Sequence, residues 1–298
     1  MSNSHPRIQH IADHLVDQVA ARGHMDVVEE FALPLAIEVI ADLLGIDASN
    51  HQRVRAWSRM LVSPSASSER NTQKTQRLRQ VMEDFVTYLT HLCAERRRRP
   101  RPDLISALIM AEEAGDQLSQ DELFSMVLLI LIVGHETSVH LISNCVLNLA
   151  ERPALAAILR ESPEQIPAAV EELIRFDGPV ERATMRFVAK DMRWHGATLR
   201  RGDGVSLILA SAHRDPGCCP APDVLDITRT GVKHLGFGLG PHYCLGAPLA
   251  RIEAQIAINT LLQKLPGISL ALPRAQLRWH SNPILHGVKQ LPICWPDR

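Results

Sequence analysis

The longest regular feature of the sequence is a helical stretch in its middle. Ser119-Gln120-Asp121-Glu122 is a capping box, and apolar residues continue from it without proline to about Leu149. At about 1.5 Å per residue, roughly 30 residues make a rod about 45 Å long, which is enough to cross a whole domain. Such a helix must be mostly buried, so we expect the rest of the fold to be arranged around it.

A polar stretch at residues 134–138 interrupts the middle of this helix. A buried carboxylate is costly unless it is paired, and a glycine within a helix costs about 1 kcal/mol relative to alanine. In one interpretation the helix passes over a cofactor, and Gly134 leaves room for it. Thr137 would then bond back to the carbonyl of Val133 and loosen the turn, and Glu136 would relay protons. In the other interpretation the polar side chains face solvent, and the residues alone favour neither.

A glycine-rich segment near the C-terminal end, residues 237–246, brings one cysteine to the start of a second helix. That helix is indicated by Pro248 in its first turn, by Pro266-Gly267 at its end, and by apolar residues at helical spacing: Leu245, Leu249, Ile252, Ile256 and Leu262. Free N–H groups and the positive end of the helix dipole favour a thiolate at Cys244, which could ligate a metal. A lone cysteine is also commonly a small buried core residue, so both interpretations stand.

The composition limits the class of protein. The chain has 298 residues, 46% of them hydrophobic, and a formal net charge of −1, which suits one large domain or two small ones and argues against a nucleic-acid binder. Six cysteines without secretory spacing and the absence of a signal-like N-terminus favour a cytoplasmic protein. The longest apolar run, Met126 to Val133, is shorter than the roughly 20 residues of a membrane span. We interpret the basic run Arg96 to Arg99 as a solvated loop rather than a docking patch.

The predicted fold class is α+β, mainly helical with small sheets. Helices are predicted from Pro6 to Gly23, from about Leu35 to Leu44, through Val81 to Leu92 and after Pro102-Asp103. A serine-rich loop is predicted at Ser63 to Ser68. Short strands are predicted at Ala183 to Val188, Ala197 to Leu199 and Val205 to Leu209. We expect a single domain over residues 1–298. It would be helical over 1–178, mixed strand and loop over 179–236, the glycine-rich loop and its helix over 237–266, and strands and loops over 267–298.

Two motifs resemble those of one known family. Residues 237–246 have the pattern Phe-Gly-x-Gly-x-His-x-Cys-x-Gly, which resembles the haem-binding loop of the cytochrome P450 family of haem-thiolate monooxygenases. Residues 133–138 are similar to the oxygen-groove motif of the same family, (Ala/Gly)-Gly-x-(Asp/Glu)-Thr-(Thr/Ser), with Val133 in place of a small residue. The resemblance extends over essentially the whole chain and implies the soluble bacterial type of this fold.

The resemblance assigns a cofactor, haem b, and residues to bind it. Cys244 would be the axial thiolate ligand of the haem iron, with Phe237 packed beside its sulfur. His242 and Arg186 would contact the haem propionates. For Arg186 the alternative is an exposed strand arginine, and the other motif matches favour the propionate. Three glycines complete the expected cofactor-binding set: Gly134, Gly238 and Gly246.

The resemblance also assigns catalytic and structural residues. Glu136 and Thr137 would deliver protons during oxygen activation. Glu172 and Arg175, by default a surface pair three residues apart on a helix, would instead form a buried clasp behind the haem. Family members often add a polar side chain to this clasp, and Val224 at the matching position predicts that the clasp is incomplete.

The implied activity is monooxygenation of a small apolar organic substrate with O2, using electrons from a ferredoxin-type donor and its reductase, without nucleic acid or membrane as a partner. Family members carry roughly another hundred residues before the position of Pro6, so we expect a chain that lacks the N-terminal part. Two hypotheses follow. The chain is a monooxygenase, or it is a truncated, non-catalytic remnant that binds haem weakly or not at all and acts as an interaction protein.

Overall fold

The computed structural model describes residues 4–62, 72–113, 118–229, 231 and 233–296. The chain forms two compact units, one from residues 1–32 together with 137–298 and the other from residues 33–136. The helices of the described part are α1 (Ser4–Asp17), α2 (Leu33–Leu44), α3 (His51–Val62), α4 (Thr72–Arg98), α5 (Leu104–Glu113), α6 (Gln120–Ala150), α7 (Pro153–Glu161), α8 (Ile166–Asp177), α9 (Leu209–Ala212) and α10 (Ala247–Lys264). Its strands are β1 (His24–Asp26), β2 (Arg186–Phe187), β3 (Met192–Trp194), β4 (Ala197–Leu199), β5 (Gly204–Val205), β6 (Ser269–Leu270) and β7 (Pro292–Cys294).

The mainly helical fold with small sheets is the one predicted. The observed strands are shorter than expected, since β2 takes only Arg186 and Phe187 of the run beginning at Ala183. Strand β5 takes only Val205 of the run from Val205 to Leu209, and Leu209 instead begins α9. Strand β3 was not predicted, and all three of its residues are exposed, so no alternation of buried and exposed positions marks it. The predicted loop at Ser63 to Ser68 lies outside the described residues. The expectation of a single domain stays a prediction.

The unit of residues 33–136 contains α2 to α5 and the first part of α6. Its core is one apolar cluster that includes Ile40, Leu44, Trp57, Phe85, Leu89, Ile105 and Leu131. Trp57 packs edge-on against Phe85 with ring centroids 5.4 Å apart, which is a favoured arrangement of aromatic pairs. The apolar spacing along α4 therefore served to bury Phe85 and Leu89, as its periodicity predicted.

Arg96 is a fully buried charge in the same unit. Helix α4 continues to Arg98, and the Arg96 guanidinium donates from Nε to Asp103 Oδ2 at 2.7 Å and from Nη2 to the Gly45 carbonyl at 2.6 Å. Because paired charges tolerate burial, this side chain ties the end of α4 to the start of α5. The interpretation of the basic run as a solvated loop is wrong for this residue.

Helix α6 has the predicted cap and close to the predicted length. The Glu122 N–H donates to Ser119 Oγ at 3.3 Å, and Glu122 Oε2 accepts from the Ser119 N–H at 2.8 Å. Residues 138–150 are all buried, whereas Leu129 and Val133 are 61% and 50% exposed. The helix is therefore less buried than expected over its first half. By length and composition α6 could also cross a membrane, a test that the core helix of a soluble protein passes as well.

The unit of residues 1–32 and 137–298 is organised around α10. Helices α1, α7 and α8 pack against α10, and its residues Ala254, Ala257 and Leu261 are fully buried. A three-stranded antiparallel sheet has the order β1-β7-β6. Met25 of β1 lies opposite Ile293 of β7, and both are buried. The sheet thus joins a strand near the start of the chain to one near its end.

Candidate functional site

The glycine-rich loop is shaped by two left-handed residues. Gly238 and Gly240 have φ values of 73° and 78°, a region in which glycine is not penalised. A short 3-10 turn covers Gly240–His242, and the Cys244 N–H donates to the Phe237 carbonyl at 2.9 Å. The loop therefore folds back so that the backbone of Cys244 lies against the backbone of Phe237, where the loop begins.

Cys244 is half-buried and lies three residues before the first residue of α10. Leu245 was counted among the apolar residues of this helix, but it precedes the N-cap Gly246 and is 85% exposed. Leu239, on the other side of the cysteine, is 82% exposed. The loop therefore exposes one apolar side chain five residues before Cys244 and one directly after it, a surface that suits an apolar ligand.

Two other predicted cofactor contacts are exposed polar side chains. His242 lies on the same loop as Cys244, in the short 3-10 turn. Arg186 lies on β2, and its Nη1 donates to Thr184 O at 3.0 Å and to Met185 O at 3.4 Å. Both side chains carry N–H donors that can bind a carboxylate.

A buried ion pair lies behind the loop. Arg175 donates from Nε and Nη2 to the two carboxylate oxygens of Glu172, each at 2.8 Å, and both side chains are buried. Arg229 Nε lies 3.4 Å from Glu172 Oε1 and supplies the third member of the clasp. The expectation of an incomplete clasp is therefore wrong. Val224 also contributes to the clasp through its backbone, because its carbonyl accepts a hydrogen bond from Arg175 Nη2 at 3.2 Å.

Two histidines connect the clasp to the loop. His213 Nε2 accepts from the Leu235 N–H at 2.8 Å, and the Arg175 Nη1 donates to the His213 carbonyl at 2.9 Å. Burial, followed by the nearby charges, lowers the pKa of His213 to about 4, so this imidazole is neutral and can accept that hydrogen bond. The second histidine, His234, directs its Nε2 to Glu171 at 2.9 Å.

The predicted polar turn of α6 is only partly solvent-facing. His135 is buried and its Nδ1–H donates to the Leu131 carbonyl at 2.6 Å. Glu136 is half-buried, and burial raises its pKa to about 7. Gly134 faces Ile40, since a Cβ on Gly134 would lie 2.9 Å from Ile40 Cδ1. Gly134 thus has a packing role within its unit, and its contact with a cofactor stays a prediction.

One acidic residue of this region was not predicted from the sequence. Glu253, on α10, is 1% exposed, and burial raises its pKa to about 8 even though the Ser138 hydroxyl donates to it. Among the described residues its Oε2 has no hydrogen-bond partner. Glu253 is therefore a neutral carboxylic acid at pH 7, next to the polar turn of α6.

The predicted site residues fall into three groups. The first is the loop, with Phe237, Gly238, His242, Cys244 and Gly246 in one segment. The second is Arg186, on a separate small sheet of the same unit as the loop. The third is the turn of α6, where Gly134 and Glu136 belong to the unit of residues 33–136 and Thr137 to the other.

Comparisons with known proteins agree on one family. The sequence model described as "Cytochrome P450" matches residues 18–266. A cytochrome P450 of Bacillus subtilis (strain 168) is 42% identical over 289 residues, which cover 97% of this chain and 70% of that protein. The mycinamicin IV hydroxylase/epoxidase of Micromonospora griseorubida is 40% identical, over 97% of this chain and 72% of that protein. The crystal structure of a myxobacterial cytochrome P450 in complex with myristic acid has a TM-score of 0.91 and 43% identity, over 100% of this chain and 73% of that one.

Proposed function

The chain belongs to the cytochrome P450 family, and from this premise we propose that it inserts one oxygen atom from O2 into a small apolar organic molecule. Members of the family are haem-dependent monooxygenases in which a cysteine thiolate ligates the iron, and the chain is an oxidoreductase of that kind. The observation that carries the proposal is the loop of residues 237–246, which carries the half-buried Cys244 together with the exposed apolar side chains of Leu239 and Leu245. The alternative, a remnant without haem, is not favoured.

Cys244 is the residue that we propose as the iron ligand. Gly246 keeps the space beside the sulfur open, because a Cβ at this position would lie 3.9 Å from Cys244 Sγ. His242 and Arg186 are exposed donors, and the described contacts of the Arg186 guanidinium are with uncharged oxygens, so both can bind propionate carboxylates. Haem bound at this site supplies the iron centre at which O2 is activated.

Glu136 and Thr137 are the residues that we propose for proton delivery. Because its pKa is about 7, the Glu136 carboxyl is present in both protonation states at neutral pH and can take up and release a proton. The Thr137 hydroxyl follows it directly on α6 and can both accept and donate a hydrogen bond. In this proposal the Glu136 carboxyl is the proton source, and the Thr137 hydroxyl relays the proton by accepting one hydrogen bond while it donates another.

An apolar substrate is supported by the exposed face of α6. Val133 lies one helical turn before Thr137, and Leu129 lies one turn before Val133; both are at least half exposed. Apolar side chains at these positions can bind an apolar molecule and exclude water from it. The relatives include a hydroxylase/epoxidase of mycinamicin IV and a structure that holds myristic acid, which supports a substrate with a large apolar surface.

We propose a ferredoxin-type protein with its reductase as the electron donor, and the cytoplasm as the location of the enzyme. The support is the resemblance to bacterial members of the family. A search for the donor would reconstitute turnover of a candidate substrate with ferredoxin and ferredoxin reductase, and with a flavodoxin as the control.

The proposal is tested by the carbon-monoxide difference spectrum of the reduced, haem-loaded chain. A thiolate ligand gives a strongly red-shifted Soret band, which we expect in the wild type and in Cys218→Ser, a control at an exposed cysteine. We expect Cys244→Ser to lose the band while its far-UV circular dichroism is unchanged. A folded, haem-replete wild type without the red shift would refute the assignment of Cys244.

A further inference from the structure

Arg251, in the second turn of α10, contacts the loop of residues 237–246 at two places. Its guanidinium lies over the Phe237 ring, with Cζ 4.3 Å from the ring centroid. Its Nη1 donates to the Tyr243 hydroxyl at 3.2 Å. Phe237 opens the loop and Tyr243 directly precedes Cys244, so one side chain touches the segment on both sides of its turn.

The guanidinium is itself held in place by Glu171 of α8. Nε donates to Glu171 Oε1 at 2.6 Å and Nη2 donates to Oε2 at 2.9 Å, which is the bidentate geometry that arginine and carboxylate prefer. His234 donates from Nε2 to the same carboxylate, while its Nδ1 accepts from the Gly236 N–H at 3.1 Å. Burial alone would raise the pKa of Glu171, but the hydrogen bonds from His234 and Arg251 lower it to about 2. The carboxylate is thus ionised at any working pH.

One carboxylate therefore anchors three points of the chain around the cysteine. His234 precedes the loop and is bound directly, whereas Phe237 and Tyr243 are bound through Arg251. The hydrogen bond from the Cys244 N–H to the Phe237 carbonyl passes any movement of Phe237 on to the cysteine. We propose that Arg251 is a positioning residue that fixes the Cys244 thiol by clamping both flanks of its loop to Glu171.

A surface ion pair would behave differently. Arg251 has 28% of its side chain exposed, and exposed ion pairs often contribute little to stability without ordering anything else. Such a pair would leave Cys244 unaffected when it is removed. A clamp requires both the flat guanidinium and the bidentate bond, and lysine supplies neither. The effect of removing Arg251 on the reactivity of Cys244, rather than on global stability, therefore distinguishes a clamp from a surface ion pair.

The first experiment needs no haem. The full chain is treated with iodoacetamide at fixed pH, and alkylation of the Cys244 peptide is followed by mass spectrometry relative to exposed Cys218, with buried Cys145 reporting on unfolding. Loss of a cation–π contact and a charge-assisted hydrogen bond should raise the relative Cys244 rate about five- to tenfold in Arg251→Met. Arg251→Lys should also raise the rate, by a smaller factor, because lysine lacks the flat guanidinium and the bidentate bond but keeps the positive charge beside Glu171.

Arg274→Met is the matched control. Arg274 also pairs with a carboxylate, that of Glu151 at 2.9 Å, and its Cζ lies 5.4 Å from the Trp279 ring centroid. The Arg274→Met variant should leave the alkylation rate of Cys244 unchanged. If Arg251→Met unfolds, so that Cys145 also reacts, Arg251→Lys decides. An unchanged or slower Cys244 rate in the folded Arg251 variants would overturn the proposal.

The second experiment extends the clamp to the proposed function. In the reduced, carbon-monoxide-treated holoprotein, the fraction of haem without the red-shifted Soret band should rise several-fold in Arg251→Met and not in Arg274→Met. This readout rests on haem binding at Cys244, and the alkylation readout does not. If the wild type binds no haem, the proposed function fails while the alkylation result still decides on the clamp. Equal spectra for Arg251→Met and Arg274→Met would contradict the clamp.

Discussion

Replacing Glu253 with glutamine removes a buried ionisable group while keeping the shape of the side chain. The folded chain holds this carboxyl at a pKa of about 8 because burial disfavours its charged form, whereas the value in an unfolded chain is 4.5. Between these two values the unfolded state releases a proton that the folded state keeps. The free energy of unfolding of the wild type therefore falls as pH rises from about 4.5 to about 8. The glutamine variant has no carboxyl at this position, so this fall is absent from it.

The size of the effect follows from the two pKa values. Each pH unit between them changes the free energy of unfolding by about 1.4 kcal/mol. At pH 5 the pH-dependent penalty in the wild type is about 1 kcal/mol, and at pH 7 it is about 3 kcal/mol. We therefore expect Glu253→Gln to gain about 2 to 3 kcal/mol over the wild type between pH 5 and pH 7, on top of any constant difference between the two side chains.

The assay is urea unfolding followed by far-UV circular dichroism at several pH values from 5 to 7.5. Ionisable groups common to both proteins cancel in the difference between variant and wild type. Glu164→Gln, at an exposed glutamate, is the control for the substitution itself. If the difference between Glu253→Gln and the wild type did not change with pH, Glu253 would be ionised in the folded chain, and the reasoning from its burial would be refuted.

Three further predictions concern other groups. Arg175→Met leaves the buried Glu172 carboxylate without its bidentate partner, so we expect a loss of about 3 to 5 kcal/mol in urea unfolding; a loss near zero would contradict the clasp. Arg96→Met should lose a similar amount, about 3 kcal/mol, because it strands Asp103 in the interior. Thr137→Ala should divert reducing equivalents from product to hydrogen peroxide, measured as peroxide per electron pair consumed; unchanged coupling would remove Thr137 from the proton path.

The elements that were predicted well are those with local signals. The capping box of α6 consists of four consecutive residues, and the hydrogen bonds that this pattern predicts are present. The end of α10 at Lys264 follows from Pro266-Gly267, two residues later. The family assignment likewise rested on contiguous motifs, and the match over residues 18–266 confirms it. In each case the physical cause lies within a few residues of its effect.

The features that were missed depend on residues far apart in the sequence. Arg229 joins the clasp across 57 residues, and Arg96 is buried because a carbonyl 51 residues earlier accepts from it. Neither partner is visible from local charge, so the run that contains Arg96 was interpreted as a solvated loop and Arg229 was not singled out. Glu253 was hidden for another reason. The large apolar residues of α10 indicated one buried face, whereas small alanines such as Ala254 and Ala257 bury the opposite side of the helix as well.

The pairing of β1 with β7 and of α1 with α10 also sets an order of events during synthesis. Residues 33–136 form a contiguous unit, so this part can fold as soon as it leaves the ribosome. Helix α1 has to wait for a partner that ends at Lys264, nearly 250 residues later. At about 5 to 20 residues per second, its apolar face stays uncovered for roughly 10 to 50 s. A nascent chain therefore exposes Ile8, Ile11 and Leu15 to chaperones until α10 has been synthesised, and the sheet of β1, β7 and β6 closes only when β7 is released.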